Sequence, residues 1–210
     1  MREVKPKRIR LKQNTTEWLD WRRGGVGGSD ANIIMGYYKK IPVPWNQNAK
    51  SKLYDIWQVK TGRKSEGKPN KFMNHGHETE AKARQLYCEI IGDFAPPACF
   101  ERGFMRCSLD GWTGKRAMEL KCPYFEKYHS MPGMVPAHYV PQVFHNLYVS
   151  GATEIDFVSY FEGDLTIATI QPQKEYLEEL IEAETKFWRM VEANEWIEPK
   201  LLLKVEEDRT

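Results

Sequence analysis

The spacing of apolar side chains shifts along the chain from a helical period to an alternating one and back again. Thr15 or Thr16 can cap a short helix carrying Trp18, Trp21 and Arg22. The run Gly24-Gly25-Val26-Gly27-Gly28-Ser29-Asp30 reads as a glycine-rich turn ending in an N-cap, with a helix from Ala31 to Met35. Residues 37–49, with their prolines and Trp45, read as a loop. Helical spacing returns at about Ser51 to Val59 and, after a polar loop from Thr61 to Asn70, from about Asn74 to Ile91. Gly92 to Pro97 breaks the pattern. Alternation then predicts strands near Cys99–Glu101, Met105–Leu109 and Ala117–Cys122, with Gly111-Trp112-Thr113-Gly114 turning the chain before the last of them. Pro136 to Ser150 reads as a helix that Pro141 either kinks or starts. Ile155–Tyr160 and Leu165–Ile170 form a predicted hairpin across Glu162-Gly163-Asp164. A last amphipathic helix, about Gln173 to Asn194, puts Tyr176, Leu180, Phe187 and Val191 on one stripe. The order of elements implies a mixed α/β or α+β domain. At 210 residues the chain fits one domain with a real core better than two.

Charge narrows the class of partner. The net charge is only +2, yet residues 1–12 hold six Lys or Arg against the single acid Glu3, and Lys39 to Arg84 is again basic. Residues 1–14 read as a basic arm. A basic face on a near-neutral protein suits a polyanion without indiscriminate sticking, although a solvated surface explains a charge run equally well. The cysteines at 88, 99, 107 and 122 have no C-x-x-C spacing, which argues against a zinc site and for reduced thiols. No apolar run approaches the ~20 residues of a membrane span. The opening MREVKPKRIR has no signal-peptide apolar region, so a cytoplasmic protein is expected.

The candidate chemistry lies in Met118-Glu119-Leu120-Lys121-Cys122. Side chains alternate on a strand, so Glu119 and Lys121 share one face. Asp110 ends the preceding strand, and an antiparallel hairpin would bring it near Glu119. Two neighbouring carboxylates resist ionising together, and a divalent cation removes the conflict. Magnesium prefers oxygen ligands and is typically held by one or two carboxylates plus substrate phosphate. On its own the E-x-K triplet also fits an exposed strand pair with no role. Glu80, on a predicted helix with the small residues Ala81 and Ala83, can point toward the same place, or simply toward solvent. His75 and His77 are two apart, lack an H-E-x-x-H context, and read as loop or N-cap residues. Arg22, the Gly24–Gly28 turn and Ser29 could together form an anion pocket from backbone N–H groups and a helix start.

These stretches resemble, in order, the lambda-type exonucleases, also called the YqaJ-like viral recombinase or alkaline exonuclease family, of the PD-(D/E)XK nuclease fold. The matching segments are W-L-D-W-R-R-G-G-V-G-G-S (18–29), G-H-E-T-E-A-K-A-R (76–84), S-L-D-G (108–111), E-L-K-C-P (119–123) and Q-V-F-H-N-L-Y-V (142–149). Each is weak alone, but five in order are specific. The resemblance implies a single nuclease domain over 1–210, with a mixed central sheet flanked by helices. It implies that Asp110, Glu119 and the Leu120 carbonyl bind metal, that Lys121 is catalytic, that Glu80 helps hold a second metal or the water, and that Gln142 completes the site. It implies two Mg2+ per site, with Mn2+ as a substitute. It gives Arg22 and Ser29, beside Trp18, a grip on the 5′-phosphate of the digested strand, and Met73 a place near the duplex end. Leu109 stands where many members have proline, which leaves the acid at 110 untouched. The implied activity is 5′→3′ digestion of double-stranded DNA ends to 5′-mononucleotides. The implied setting is a homotrimeric ring of phage or prophage origin working with a single-strand annealing protein.

Two other readings fit parts of the chain. A RecB- or Cas4-like single-strand nuclease often carries an iron–sulfur cluster held by cysteines near the C-terminus, and no cysteine follows residue 122. A DNA-end binding module on an inactive nuclease fold would not require the intact Asp110, Glu119 and Lys121 set. Trp188 and Trp196 read as core, with a subunit interface or a partner surface as alternatives.

Overall fold

The structure is a computed structural model that describes residues 4–40, 48–65 and 71–197, and for 71–78 the backbone only. Trp45, the end of the predicted polar loop, the Met73, His75 and His77 side chains and the acidic tail lie outside the described residues. Among the described residues, eight strands form two four-stranded sheets, β1-β3-β4-β2 and β5-β6-β7-β8. The strands are β1 (Lys7–Ile9), β2 (Val26–Gly27), β3 (Ala98–Arg102), β4 (Met105–Leu109), β5 (Gly111–Trp112), β6 (Arg116–Lys121), β7 (Glu154–Phe161) and β8 (Asp164–Ile170). The helices are α1 (Thr16–Arg23), α2 (Gly28–Tyr38), α3 (Ala49–Lys60), α4 (Lys71–Ile91), α5 (Val140–Ser150) and α6 (Lys174–Glu192). The single mixed sheet expected from sequence is therefore divided. β4 and β5 follow one another through Asp110, and the break falls at that residue.

The second sheet carries the architecture. β5 runs antiparallel to β6, β6 parallel to β7, and β7 antiparallel to β8. The parallel step needs a crossover, which α5 provides. Helices cover both faces. Ala117, Ile155 and Phe157 join the larger core with α2, α3, α5 and α6, whereas Met118, Leu120, Val158 and Tyr160 pack with Ala83 and Tyr87 of α4. Alternate residues of β6 thus face opposite layers. The α6 stripe is as predicted: Leu180 and Phe187 are buried, and Tyr176 and Val191 pack at its margin. Trp188 and Trp196 are likewise partly buried against the core.

Four local expectations change. The basic arm is not wholly free, since Lys7–Ile9 forms an edge strand antiparallel to β3. The glycine-rich turn contains β2, which pairs in parallel with β4, and α2 begins at Gly28 with Gly27 as its N-cap. Ser29 therefore lies in the first helical turn rather than before it. α4 begins at Lys71, so His75 and His77 are helical and not in a loop or cap. Of the two small residues expected to bring α4 close, only Ala83 is buried; Ala81 is exposed. Pro141 starts its helix rather than kinking one, as a 3-10 turn at Ala137–Tyr139 leads into α5 with proline in its first turn. All four cysteines are free thiols.

A buried polar knot fixes α4 against the sheet. Asp156, fully buried on β7, accepts from Tyr87 Oη (2.7 Å), Thr169 Oγ1 (2.7 Å) and Arg116 (3.2 Å). Both carboxylate oxygens are satisfied, as a buried charge requires. The knot ties the helix that carries Glu80 to β6, β7 and β8.

Candidate active site

The bend between β4 and β5 aims Asp110. Its backbone N–H donates to the Met118 carbonyl (3.1 Å), its Oδ2 accepts from the Leu120 N–H (2.7 Å), and Arg84 of α4 donates to its carbonyl (2.8 Å). Gly111 pairs with Met118 across the β5–β6 ladder, so Asp110 comes beside Glu119. Gly111 permits the close approach, since a Cβ there would lie 2.9 Å from the Met118 methyl and 3.2 Å from Ala95. Burial pushes the Asp110 carboxyl well above the ordinary range, the Glu119 charge adds to the rise, and Lys121 partly offsets it. Glu80 of α4 raises it further, so its charge is felt at the site.

Glu119 is 3% exposed in the middle of β6. Its Oε1 accepts from Lys121 Nζ (2.7 Å) and Gln142 Nε2 (2.6 Å), and its Oε2 from Asn146 Nδ2 (2.7 Å). The Lys121 ammonium also lies 4.9 Å from the centre of the Tyr139 ring. Burial alone would lower the Lys121 pKa, but Glu119, then Tyr139 and Asp110, outweigh it and hold the lysine above its ordinary value. The structure therefore brings together Asp110, Glu119, Lys121 and Gln142, with Glu80 alongside.

Two carboxylates crowded so that one resists ionising form a site that a cation would relieve. Among the described residues no three His, Cys, Asp or Glu side chains converge as a ready-made metal cage. The oxygen-only pair fits a hard ion that keeps several waters, as Mg2+ does, and does not fit tetrahedral zinc.

The second cluster surrounds the start of α2. The Arg22 guanidinium stacks 4.5 Å from the centre of the Trp18 ring, and Trp18 Nε1 donates to Ser108 (2.8 Å). Ser29 is exposed in the first turn of α2. Asp30 caps the helix by accepting from the Gly27 N–H (2.9 Å). Lys60 of α3, its side chain 6% exposed, binds both Asp30 (2.9 Å) and the Arg22 carbonyl (3.1 Å). Burial alone would raise Asp30, but Lys60, the Gly27 N–H and Arg22 together outweigh it and keep the carboxyl below its ordinary range. Lys60 thereby offsets an acid that would repel an anion and links α1, α2 and α3. Gly25 is the tight point: a Cβ there would sit 2.2 Å from the Phe104 carbonyl oxygen and 2.7 Å from Arg106 Cγ. Gly25→Ala is expected to destabilise the fold by ~1–3 kcal/mol, as overpacking does. Urea unfolding checks this, and an unchanged midpoint would show that the turn can yield.

Sequence reasoning missed Asn146, Asn32, Lys60 and Tyr139. Asn146 lies four residues after Gln142 on α5, a spacing that puts both on one face. Asn32 and Lys60 come from distant elements and carry no local signal. The segment between Lys121 and Tyr139 leaves the site and returns to it. It is pinned by His129 to Ser159 (2.8 Å) and Asp164 (3.1 Å), and it exposes Tyr124, Phe125 and Tyr128.

Residues 17–153 match the model of the family described as the YqaJ-like viral recombinase domain. An alkaline exonuclease, LHK-Exo, from Laribacter hongkongensis has a similar structure, with TM-score 0.69 and 20% identity over 93% of this chain and 100% of that one; it has also been solved in complex with dAMP. A phage-related exonuclease from Haemophilus somnus 129PT is similar with TM-score 0.59 and 15% identity, over 81% of this chain and 96% of that one. These likenesses concern the fold. No curated protein sequence matches the chain.

Proposed function

From the premise that this chain belongs to the YqaJ-like viral recombinase domain family, we propose that it is a Mg2+-dependent exonuclease acting on double-stranded DNA ends. The observation that carries the reading is the convergence of the half-buried Asp110, Lys121 and Gln142 with the buried Glu119 at the bend between β4 and β5. Asp110, Glu119 and the Leu120 carbonyl hold the cation in this reading, with Glu80 assisting a second one and Mn2+ able to substitute. When bound, the cation supplies charge for a phosphate oxygen and a more acidic water. Lys121 offers a fixed positive charge to the negative charge that grows on the phosphate during attack. Gln142 and Lys121 orient the Glu119 carboxylate, and the apolar layers on both faces of β6 keep bulk water from the flanks of the site.

Arg22 and Ser29, backed by the α2 N-terminus, take the terminal 5′-phosphate, and Trp18 holds the Arg22 plane. Backbone N–H groups at a helix start and a stacked guanidinium are good phosphate donors. Digestion then runs 5′→3′, releases 5′-mononucleotides and leaves a 3′ single-stranded tail. The dAMP complex of LHK-Exo supports a mononucleotide product. Met73 lies close to the duplex end in this reading. The working form is a homotrimeric ring, and the tail is handed to a phage single-strand annealing protein in the host cytoplasm. No described helix is long and apolar enough to cross a membrane.

The test is a time course on linear duplex labelled at one end or the other, with and without a 5′-phosphate, in Mg2+. Early release of 5′ label as mononucleotide, with slower digestion of 5′-hydroxyl ends, is the expected result. Loss of 3′ label first would overturn the polarity, and absence of any cleavage with Mg2+ or Mn2+ would overturn the nuclease reading.

A further inference from the structure

The Glu119 carboxylate is held by its β6 neighbour Lys121 and by two amides of α5, Gln142 and Asn146. Its Oε1 accepts from Gln142 and Lys121, and its Oε2 from Asn146 (2.7 Å). Gln142 is itself held from α2. Its backbone N–H donates to Asn32 Oδ1 (2.9 Å), and its side-chain Oε1 accepts from Asn32 Nδ2 (3.4 Å). A primary amide has one accepting end and one donating end. With the Gln142 oxygen turned to Asn32, only its NH2 is left to face Glu119. Asn32, 3% exposed, thus fixes which end of Gln142 meets the carboxylate.

Asn146 is constrained from the same helix. It is 1% exposed, and its Oδ1 is buried with no hydrogen-bond partner among the described residues. That oxygen lies 2.6 Å from where a Cβ on Gly28 would be, so only glycine at the start of α2 lets Asn146 keep its NH2 on Glu119. Leaving a buried amide oxygen unpaired is costly, which argues that the orientation is imposed by the carboxylate on the other end. Asn32 and Gly28 both belong to α2, whose first turn holds Ser29.

We propose that Asn32 and Asn146 are positioning residues for Glu119, through which α2, the helix that opens on the Arg22–Ser29 cluster, sets the orientation of the carboxylate that takes the cation. The proposal rests on the reading of Glu119 as a cation ligand. Asn32 acts through Gln142, and Asn146 acts directly on Glu119. Groups that orient a ligand in this way commonly change metal affinity by ~10-fold or more when removed.

The test is calorimetric titration of Mn2+ into the purified full chain without DNA, so that it reads binding and not turnover. Asn32→Ala and Asn146→Ala are each expected to weaken Mn2+ binding by about 10-fold. In a Gln142→Ala background, Asn32→Ala is expected to cost less than it does alone, because the side-chain route is gone and only the hydrogen bond to the backbone N–H of residue 142 remains. Asn32→Asp keeps the volume and the acceptor for the Gln142 N–H but loses the NH2. It is expected to weaken binding as Asn32→Ala does, and it serves if the alanine variants do not fold. Folded Asn32 variants that bind Mn2+ like the wild type would overturn the proposal, as would losses at Asn32 and Gln142 that simply add. A wild-type chain that binds no Mn2+ would instead overturn the reading of Glu119 as a cation ligand, and the proposal with it.

Discussion

Lys121→Ala is expected to lower the rate of duplex digestion at saturating Mg2+ by about 10²–10³-fold, the usual cost of removing one preorganised donor from a developing anion. The effect belongs in kcat, because in the proposed reading the lysine acts on charge that grows only as the phosphate is attacked. The geometry gives it little freedom to do otherwise. Its ammonium is held 2.7 Å from Glu119 and 4.9 Å from the centre of the Tyr139 ring, on a strand paired on both sides. Lys121→Arg keeps the charge but spreads it over a planar fork that does not fit the space of a compact ammonium, so it is expected to recover only a small part of the rate. Melting temperature controls for folding. Single-turnover digestion of a 5′-phosphorylated duplex gives the rate, and an unchanged rate in a folded Lys121→Ala protein would remove the lysine from the mechanism.

The strand that carries Glu119 and Lys121 was legible because its pattern is local. Period-two alternation in Met118-Glu119-Leu120-Lys121 put the acid and the base on one face, and the structure sends Leu120 and Met118 to the α4 layer and Glu119 toward α5. Met105–Leu109 likewise has the alternating burial that its sequence announces. What stayed hidden depends on partners far away in sequence. Lys7-Arg8-Ile9 is too short and too basic to read as a strand, and it becomes one only because β3 offers an edge and Glu101 pairs with Lys7 (3.0 Å). Val26 and Gly27 form a strand of two residues inside what glycine content marks as a turn, supported by β4. The break of the sheet at Asp110 leaves no mark in composition either. The amides around Glu119 fall between these cases. Asn146 could have been found one helical turn beyond Gln142, whereas Asn32, 110 residues from Gln142, meets it only through the packing of α2 on α5.

The same packing makes His145 the position where a single change is expected to cost most stability. His145 of α5 and Glu184 of α6 are both fully buried, with Nδ1 and Oε1 2.8 Å apart. The other ring nitrogen faces the Arg106 carbonyl oxygen at 2.9 Å and must therefore carry a proton. A second proton lies between Nδ1 and the carboxylate. Burial alone would lower the His145 pKa, but Glu184 and the Arg106 carbonyl hold it above the ordinary imidazole value. Burial raises Glu184, and His145 only partly reverses this. The nearby Asp30 charge favours the proton at both. His145→Ala leaves Glu184 buried without its partner, and its Oε2 already has none among the described residues. The expected loss is ~3–5 kcal/mol, the cost of breaking a buried pair from one side, which for a domain of this size lowers Tm by on the order of 10 °C. His145→Leu combined with Glu184→Leu is expected to recover much of that loss, since apolar replacements for a buried pair are often neutral. The pH dependence follows from proton counting. The unfolded chain loses the Glu184 proton at about pH 4.3 and the His145 proton at about pH 6.5. Both groups are raised in the folded chain, so the folded pair holds on to protons that the unfolded chain has released. The pair's contribution is fully present below ~4.3 and declines as pH rises through the raised folded values. Urea unfolding of wild type and the double leucine variant from pH 5 to 9 measures it. An alkaline decline that persists undiminished in the variant would assign the pH dependence to other groups.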